Sequence, residues 1–425
     1  MLLSILFFSS AQAAEFVLVA ETDSGCQLYL DGTELYAEGC NVNIISGSGT
    51  TDDDGTLTGL GNLTVGYNTM SSDTSGSHNI IVGDQQAYSS YGGLLAGTRN
   101  AVSAPYASVS GGYMNAARGY ASGVSGGHSN KAIGDYASVS GGLVNTAIGI
   151  YAAANGGQFN KATGYAAVAS GGQYNTANGS YSTAAGGRYN TASGYLSSIG
   201  GGRNNRAGGH YSAVSGGYTN TARGDSAAIN GGSHNTAVVP FSSISGGIFN
   251  SARGSYSSIS GGENNTTFGD YATIGGGRDN VASGYGASVS GGTDNTASGR
   301  GAAVSGGFEN QAIGALASVS GGTGNQARGD LSSVTGGQIN EANGLYTSVH
   351  GGWNNTARGT HAAVGGGSNN AALGDLSTVT GGRNNDAFSD YSSINGGYSN
   401  MTTGDYATAS GGYLQRGALW GDHVP

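Results

Sequence analysis

A Gly-Gly pair recurs every 15 residues from Gly111 to Gly412, without insertion or deletion, for 21 copies. A period this strict restricts the chain to architectures in which one short unit stacks on the next, because a unit this small cannot bury its apolar face alone. With the first glycine of each pair as slot 1, Asn fills slot 5 in 20 copies, from Asn115 to Asn400, and Gln415 takes the last. Ala fills slot 7 in most copies (Ala117, Ala132, Ala147), Gly slot 9 (Gly119, Gly134, Gly149), and Val, Ile or Ala slot 14 (Val139, Val214, Ile229). Slots 5 to 8 and 10 to 15 alternate at period two, the mark of strands with one buried face. Each copy is expected to hold two short strands joined by Gly-rich bends and paired in register with its neighbours.

The predicted fold is all-β, a parallel β-roll or β-solenoid of about 21–22 coils with a small N-terminal cap. At about 4.8 Å per coil it would span roughly 100 Å. The small inward residues leave room for a thin, two-sheet interior. Gly at slots 1, 2 and 9 would let the chain bend, and a bulky residue at slot 1 is expected to split the stack. The inward amides, from Asn115, Asn130, Asn145, Asn160, Asn175 and Asn190 onward, are expected to form a structural ladder, bonding one another and the bend backbone. Stacking also accounts for 84 Gly and only 9% charged residues, a composition otherwise suited to disorder.

Residues 1–13, apolar and ending in Ala11-Gln12-Ala13, read as a signal peptide. Residues 14–58 read as the N-terminal cap, with a β-hairpin signalled by Asp31-Gly32 and a disulfide between Cys26 and Cys40, the expected state in an exported protein. Residues 59–110 hold irregular lead-in coils around Leu63-Thr64-Val65, Ile80-Ile81-Val82 and Leu94-Leu95-Ala96. Residues 111–412 form the regular roll, and 413–425 a tail in which the repeat is lost.

Tyr, Phe or Leu recurs at slot 11, giving a candidate aromatic ladder of Tyr136, Tyr151, Tyr181, Tyr211, Tyr256 and Tyr271. Stacked rings at strand spacing suit corner packing, a subunit interface or a ligand-contacting stripe. Asp occupies slot 10 in seven coils, after the slot-9 glycine in all but Asp390, which follows Ser389, and Asp375, Asp390 and Asp405 lie on consecutive coils. Turn chemistry explains such residues, and a shared cation is the alternative. Ser and Thr at slots 13 and 15 form outward rows that Ala interrupts at Ala213, Ala228 and Ala303. No catalytic residue and no cofactor is predicted, since no carboxylate cluster breaks the repeat and the seven His are dispersed. A net charge of −10 without a basic stripe argues against nucleic acid as a partner. No apolar run reaches the roughly 20 residues of a transmembrane segment.

The stretch Ser138-Val139-Ser140-Gly141-Gly142-Leu143-Val144-Asn145-Thr146-Ala147-Ile148-Gly149 resembles the repeat Ser-Val-Ala-Ile-Gly-x-x-Ala-x-Ala-x-Gly of the head domain of YadA-like trimeric autotransporter adhesins. Ser138, Val139, Gly142, Ala147 and Gly149 coincide, whereas Gly141 replaces the family's Ile and Asn145 its first Ala. The resemblance covers about residues 60 to 413. It implies a left-handed roll, a side-by-side homotrimer, and adhesion to host matrix proteins, glycans or other cells, in a protein secreted or held at the bacterial cell surface on the outer membrane. The family's heptad stalk and membrane-anchor barrel have no counterpart after Gly412 in this sequence. The expected function is an adhesin-like structural rod and not an enzyme, with an ice-binding solenoid as the alternative and a polysaccharide-active solenoid enzyme behind it.

Overall fold

The computed structural model describes residues 17–21, 25–69 and 73–425. The proposed signal peptide therefore lies outside the described residues. Nearly every coil contributes two short strands, such as Thr146–Ala147 at slots 6 and 7 and Ala153–Ala154 at slots 13 and 14. Each pairs parallel with the same slots one coil away: Thr146 with Lys161 and Ala153 with Val168. Repetition builds two open ladders of about 24 turns. At about 4.8 Å per coil the stack is roughly 110 Å long. A third line of bridges joins slot 3 of successive coils, from Thr98 with Tyr113 to Tyr398 with Tyr413.

More coils form than the repeat alone announces, because both flanks join the ladders. Leu63 pairs with Ile80, Ile80 with Leu94 and Leu94 with Ser108, so the lead-in coils stack despite their unequal lengths. Residues 413–425, the tail in which the repeat is lost, complete one more coil. Arg416–Gly417 pairs with Met401–Thr402, and His423–Val424 with Thr408–Ala409. Stacking on a preformed coil supplies the backbone partners that the degenerate sequence does not advertise.

The interior is narrow. Ala117 and Ala132 at slot 7, Val139 and Ile229 at slot 14, and Ala137 or Ser122 at slot 12 are all buried. Slot 14 shrinks to alanine at Ala154, Ala169 and Ala184, and the apolar core divides there into a segment ending at Ala184 and another beginning at Ala192.

Which glycines the stack needs differs from expectation. A Cβ on Gly142 at slot 2, where φ is +90°, would lie 2.2 Å from the carbonyl oxygen of Gly157. One on Gly149 at slot 9 would lie 2.0 Å from that of Gly164. A Cβ on Gly141 at slot 1 meets open space, so the expectation that a larger residue there splits the stack is corrected: slot 1 faces solvent, and the close approach belongs to slots 2 and 9.

At the N-terminal end β1 (Val17–Glu21), β2 (Gln27–Asp31) and β3 (Glu34–Glu38) form an antiparallel sheet. Gly32, φ +59°, turns the β2–β3 hairpin, in which Asp31 faces Glu34 and Gln27 faces Glu38. Among the described residues these strands pair only with one another. Within the expected cap, residues 14–58, the segment hydrogen-bonded to the first coil is the loop around Asp53. The buried Asp53 carboxylate accepts hydrogen bonds from the hydroxyls of Ser46, Ser48 and Thr58 and from the Thr58 N–H. His78 Nε2 accepts the Ser46 N–H at 3.1 Å, and its Nδ1 lies 3.0 Å from the Thr51 carbonyl oxygen.

Candidate functional site

The Asn column forms the spine of the solenoid. Asn145 Oδ1 accepts the backbone N–H of Asn160 at 2.9 Å, while Asn145 Nδ2 donates to the carbonyls of Gly141 at 2.8 Å and Gly157 at 2.9 Å. One buried amide thus satisfies three backbone groups on two coils, as burial requires. Asn115, Asn130, Asn160, Asn175 and Asn190 repeat the arrangement. The expected amide-to-amide bonding is largely replaced by amide-to-backbone bonding, because the neighbouring N–H and bend carbonyls lie closer to the side chain. Gln86 opens the regular column by accepting the Asn100 N–H, and Gln415 closes it by donating its own N–H to Asn400 Oδ1.

The two corners of most coils hold non-glycine residues in the left-handed region, for example Val144 (φ +55°) at slot 4 and Tyr151 (φ +59°) at slot 11. Such a conformation costs roughly 1–2 kcal/mol in isolation. It turns the peptide so that the corner N–H bonds backward along the stack: Tyr151 N–H donates to the Asp135 carbonyl, whereas Ala153 N–H donates forward to that of Ala167. Every coil is therefore tied in both directions.

Aromatic rings ride on these corners. Tyr136 and Tyr151 stack at 5.0 Å, and Tyr256 and Tyr271 at 5.1 Å. Tyr181 and Tyr211 do not touch each other or Tyr151 directly, since Ala166 and Leu196 occupy slot 11 between them. There Tyr165 and Tyr195, from slot 10, bridge the gap edge to face. With Tyr120 in the same role, nine rings run in unbroken contact from Tyr91 to Tyr211. The slot-11 pattern missed the slot-10 tyrosines, whose signal is a tyrosine placed just before a small or aliphatic slot-11 residue. A second column rises at slot 4, where Phe159, Tyr174 and Tyr189 stack. The slot-11 rings are about half exposed, Tyr136 at 47% and Tyr151 at 51%. Partial burial raises the Tyr136 phenol above its ordinary range, helped by Tyr120 and Tyr151.

The aspartates serve the backbone. Asp375 Oδ1 accepts the Thr360 N–H and Asp390 Oδ1 the Asp375 N–H, both at 2.7 Å, as Asp135 does for Tyr120 at 2.9 Å. Asp405 sits one coil further along the same slot. Among the described residues no group of three or more His, Cys, Asp or Glu is placed to hold a metal ion. Cys26 and Cys40 are joined in a disulfide, Cα atoms 4.9 Å apart, across the open end of the β2–β3 hairpin. No helix among the described residues is long and apolar enough to cross a membrane. No protein-family pattern matches the chain, and comparison with characterised proteins finds no relative.

Proposed function

We propose that the chain works as an extracellular adhesive or structural rod that engages a matrix protein, a glycan or other cells through weak contacts repeated along its length. The observation that carries this reading is the unbroken repeat: from Gly111 to Gly412 no coil is lengthened to build a cleft, so outward side chains recur at one fixed spacing. Such a lattice converts individually weak contacts into avidity. The Cys26–Cys40 disulfide supports an oxidising location, secreted or at a bacterial cell surface. A left-handed winding and a homotrimer belong to the same reading, through the resemblance to YadA-like heads. The ice-binding alternative asks for a continuous hydroxyl face, and Ala153, Ala213 and Ala228 interrupt it.

The test is binding of the purified chain to immobilised matrix proteins, glycans and whole cells, beside variants from which whole coils, such as residues 216–305, have been removed. Binding should weaken more steeply than the number of coils lost, and light scattering should report three chains per particle. Binding to none of these surfaces, or binding indifferent to coil number, would remove the reading.

A further inference from the structure

We propose that the stacked tyrosine pairs on the solenoid corners are sites of oxidative coupling, at which hydrogen peroxide and a haem peroxidase join one coil to the next through a carbon–carbon bond. The geometry is set by the repeat. Tyr136 and Tyr151 stack at 5.0 Å with planes 10° apart, Tyr256 and Tyr271 at 5.1 Å and 3°, and Tyr391 and Tyr406 at 4.6 Å and 6°. Their separation is close to the strand spacing of about 4.8 Å, so a shift by one coil carries each ring onto its partner and each ortho carbon over its counterpart. Edge-to-face contacts, such as Tyr151 with Tyr165 at 80°, set a rim against a face and do not place like atoms together.

Access and competition favour the same pairs. Tyr256 is 49% and Tyr271 50% exposed, so their phenols lie within reach of an oxidant in solution. The chain has 25 Tyr against four Met and two Trp, and its two Cys are already paired. Oxidising equivalents therefore settle on tyrosine. In the column from Tyr91 to Tyr211 only Tyr136 and Tyr151 are stacked in parallel, the other contacts being edge to face. A radical formed on any of these nine rings meets its coupling geometry at that pair.

The chemistry balances. Each phenol gives up one electron and one proton to become a tyrosyl radical, and the two radicals join through their ortho carbons. Loss of those two carbon-bound hydrogens to the phenolic oxygens restores both aromatic rings. Peroxide takes the two electrons and two protons and leaves as two waters. The product staples residues one coil apart and resists axial unzipping of the stack.

The experiment exposes the full-length chain to a haem peroxidase with hydrogen peroxide and maps the cross-links by peptide mass spectrometry and dityrosine fluorescence. The expected result is peptides lighter by two hydrogens that join Tyr136 to Tyr151, Tyr174 to Tyr189, Tyr256 to Tyr271 and Tyr391 to Tyr406 within one chain. Tyr136→Phe should abolish the first link and spare the second, whereas Tyr120→Phe, at an edge contact, should spare both. Circular dichroism verifies that each variant is folded. The proposal is overturned if the folded chain yields no dityrosine, if links join tyrosines of the solenoid that are not one coil apart, or if chains in denaturant couple with the same pair selectivity.

Discussion

Asn265 Oδ1 accepts the backbone N–H of Asn280 at 3.0 Å, one coil up the stack, while its Nδ2 donates to the carbonyls of Gly261 and Gly277. The side chain therefore does work that neither strand can do for the bend. Asn265→Ala removes three bonds and leaves the Asn280 N–H and the Gly261 carbonyl without a partner, while the Gly277 carbonyl keeps the Glu263 N–H. At about 1 kcal/mol or more for each group left unpaired, a loss of roughly 2 kcal/mol is expected, concentrated in the coils on either side. Hydrogen exchange resolved by coil is the measurement, because a one-dimensional stack need not unfold in a single step. Uniform exchange along the rod would contradict the account.

The paired glycines separate cleanly. In Gly262→Ala the new Cβ would lie 2.1 Å from the Gly277 carbonyl oxygen at φ +87°, whereas in Gly261→Ala it meets nothing within 4 Å. The first is expected to cost about 4 kcal/mol or more, and the second to stay within about 0.5 kcal/mol of the parent. Thermal denaturation of the two variants side by side checks this.

Much of this was open to reading in the sequence. Asn145, Ala147 and Val139 each occupy a slot that scarcely varies, and a side chain type held at one slot over many coils must face a common environment. The corners were not readable. Slot 11 holds Tyr136, Ala166, Leu316 and Ser226, none with an established preference for positive φ, yet all adopt it because the stack over-determines the turn. Period-two alternation through slots 10 to 15 assumed extended backbone where the chain bends. Nor does a Gly-Gly pair declare which member points inward. Tyr120 and Tyr165 fall outside the slot-11 pattern, because shifting a ring by one slot while keeping its place in the column is a three-dimensional compensation. One departure does leave a trace. Val239-Pro240 replaces the usual slot-9 glycine and its successor, and the corner bond from Tyr256 N–H to the Pro240 carbonyl stretches to 3.3 Å, against 2.8 Å for Tyr271 to Ser255.

The Cys26–Cys40 disulfide closes a loop of 14 residues around a sheet that, among the described residues, pairs only with itself. Reduction should destabilise β1–β3 by about 3 kcal/mol, on the loop-entropy account, and leave the solenoid unchanged. Proteolysis of reduced and oxidised protein distinguishes the outcomes: new cuts confined to residues near the hairpin are expected, and cuts within the coils would show that the sheet supports the stack.

Asp53 ties the capping loop to the first coil. The hydroxyl of Ser46, followed by those of Ser77 and Thr58, holds its carboxyl well below the usual carboxylate range, against the opposing effect of desolvation. A group whose folded pKa is depressed stabilises the folded state fully above the unfolded value of about 4, and that contribution drains as pH falls below it. Acidification from neutrality should leave the cap intact until about pH 4 and then loosen it ahead of the coils. Asp53→Asn should remove that acid-dependent step, which exchange at the Thr58 and Gly59 amides would register.

Two buried threonines occupy slot 7, where alanine is the rule, and their surroundings make opposite predictions. Thr267 donates its hydroxyl to Ser257 Oγ at 2.8 Å. Ser392, the equivalent partner of Thr402, instead donates to the Ser389 carbonyl at 2.6 Å, and Thr402 Oγ1 is left without a hydrogen-bond partner. A paired buried hydroxyl contributes about 1 kcal/mol, and an unpaired one costs about as much. Thr402→Ala should therefore stabilise its coils by about 1 kcal/mol and Thr267→Ala destabilise by a similar amount. The double change Thr267→Ala with Ser257→Ala should return close to the parent, because removing both partners leaves nothing unsatisfied. Urea denaturation of the four proteins decides the matter: if Thr402→Ala weakens the stack as much as Thr267→Ala, the two hydroxyls have equivalent partners and the distinction fails.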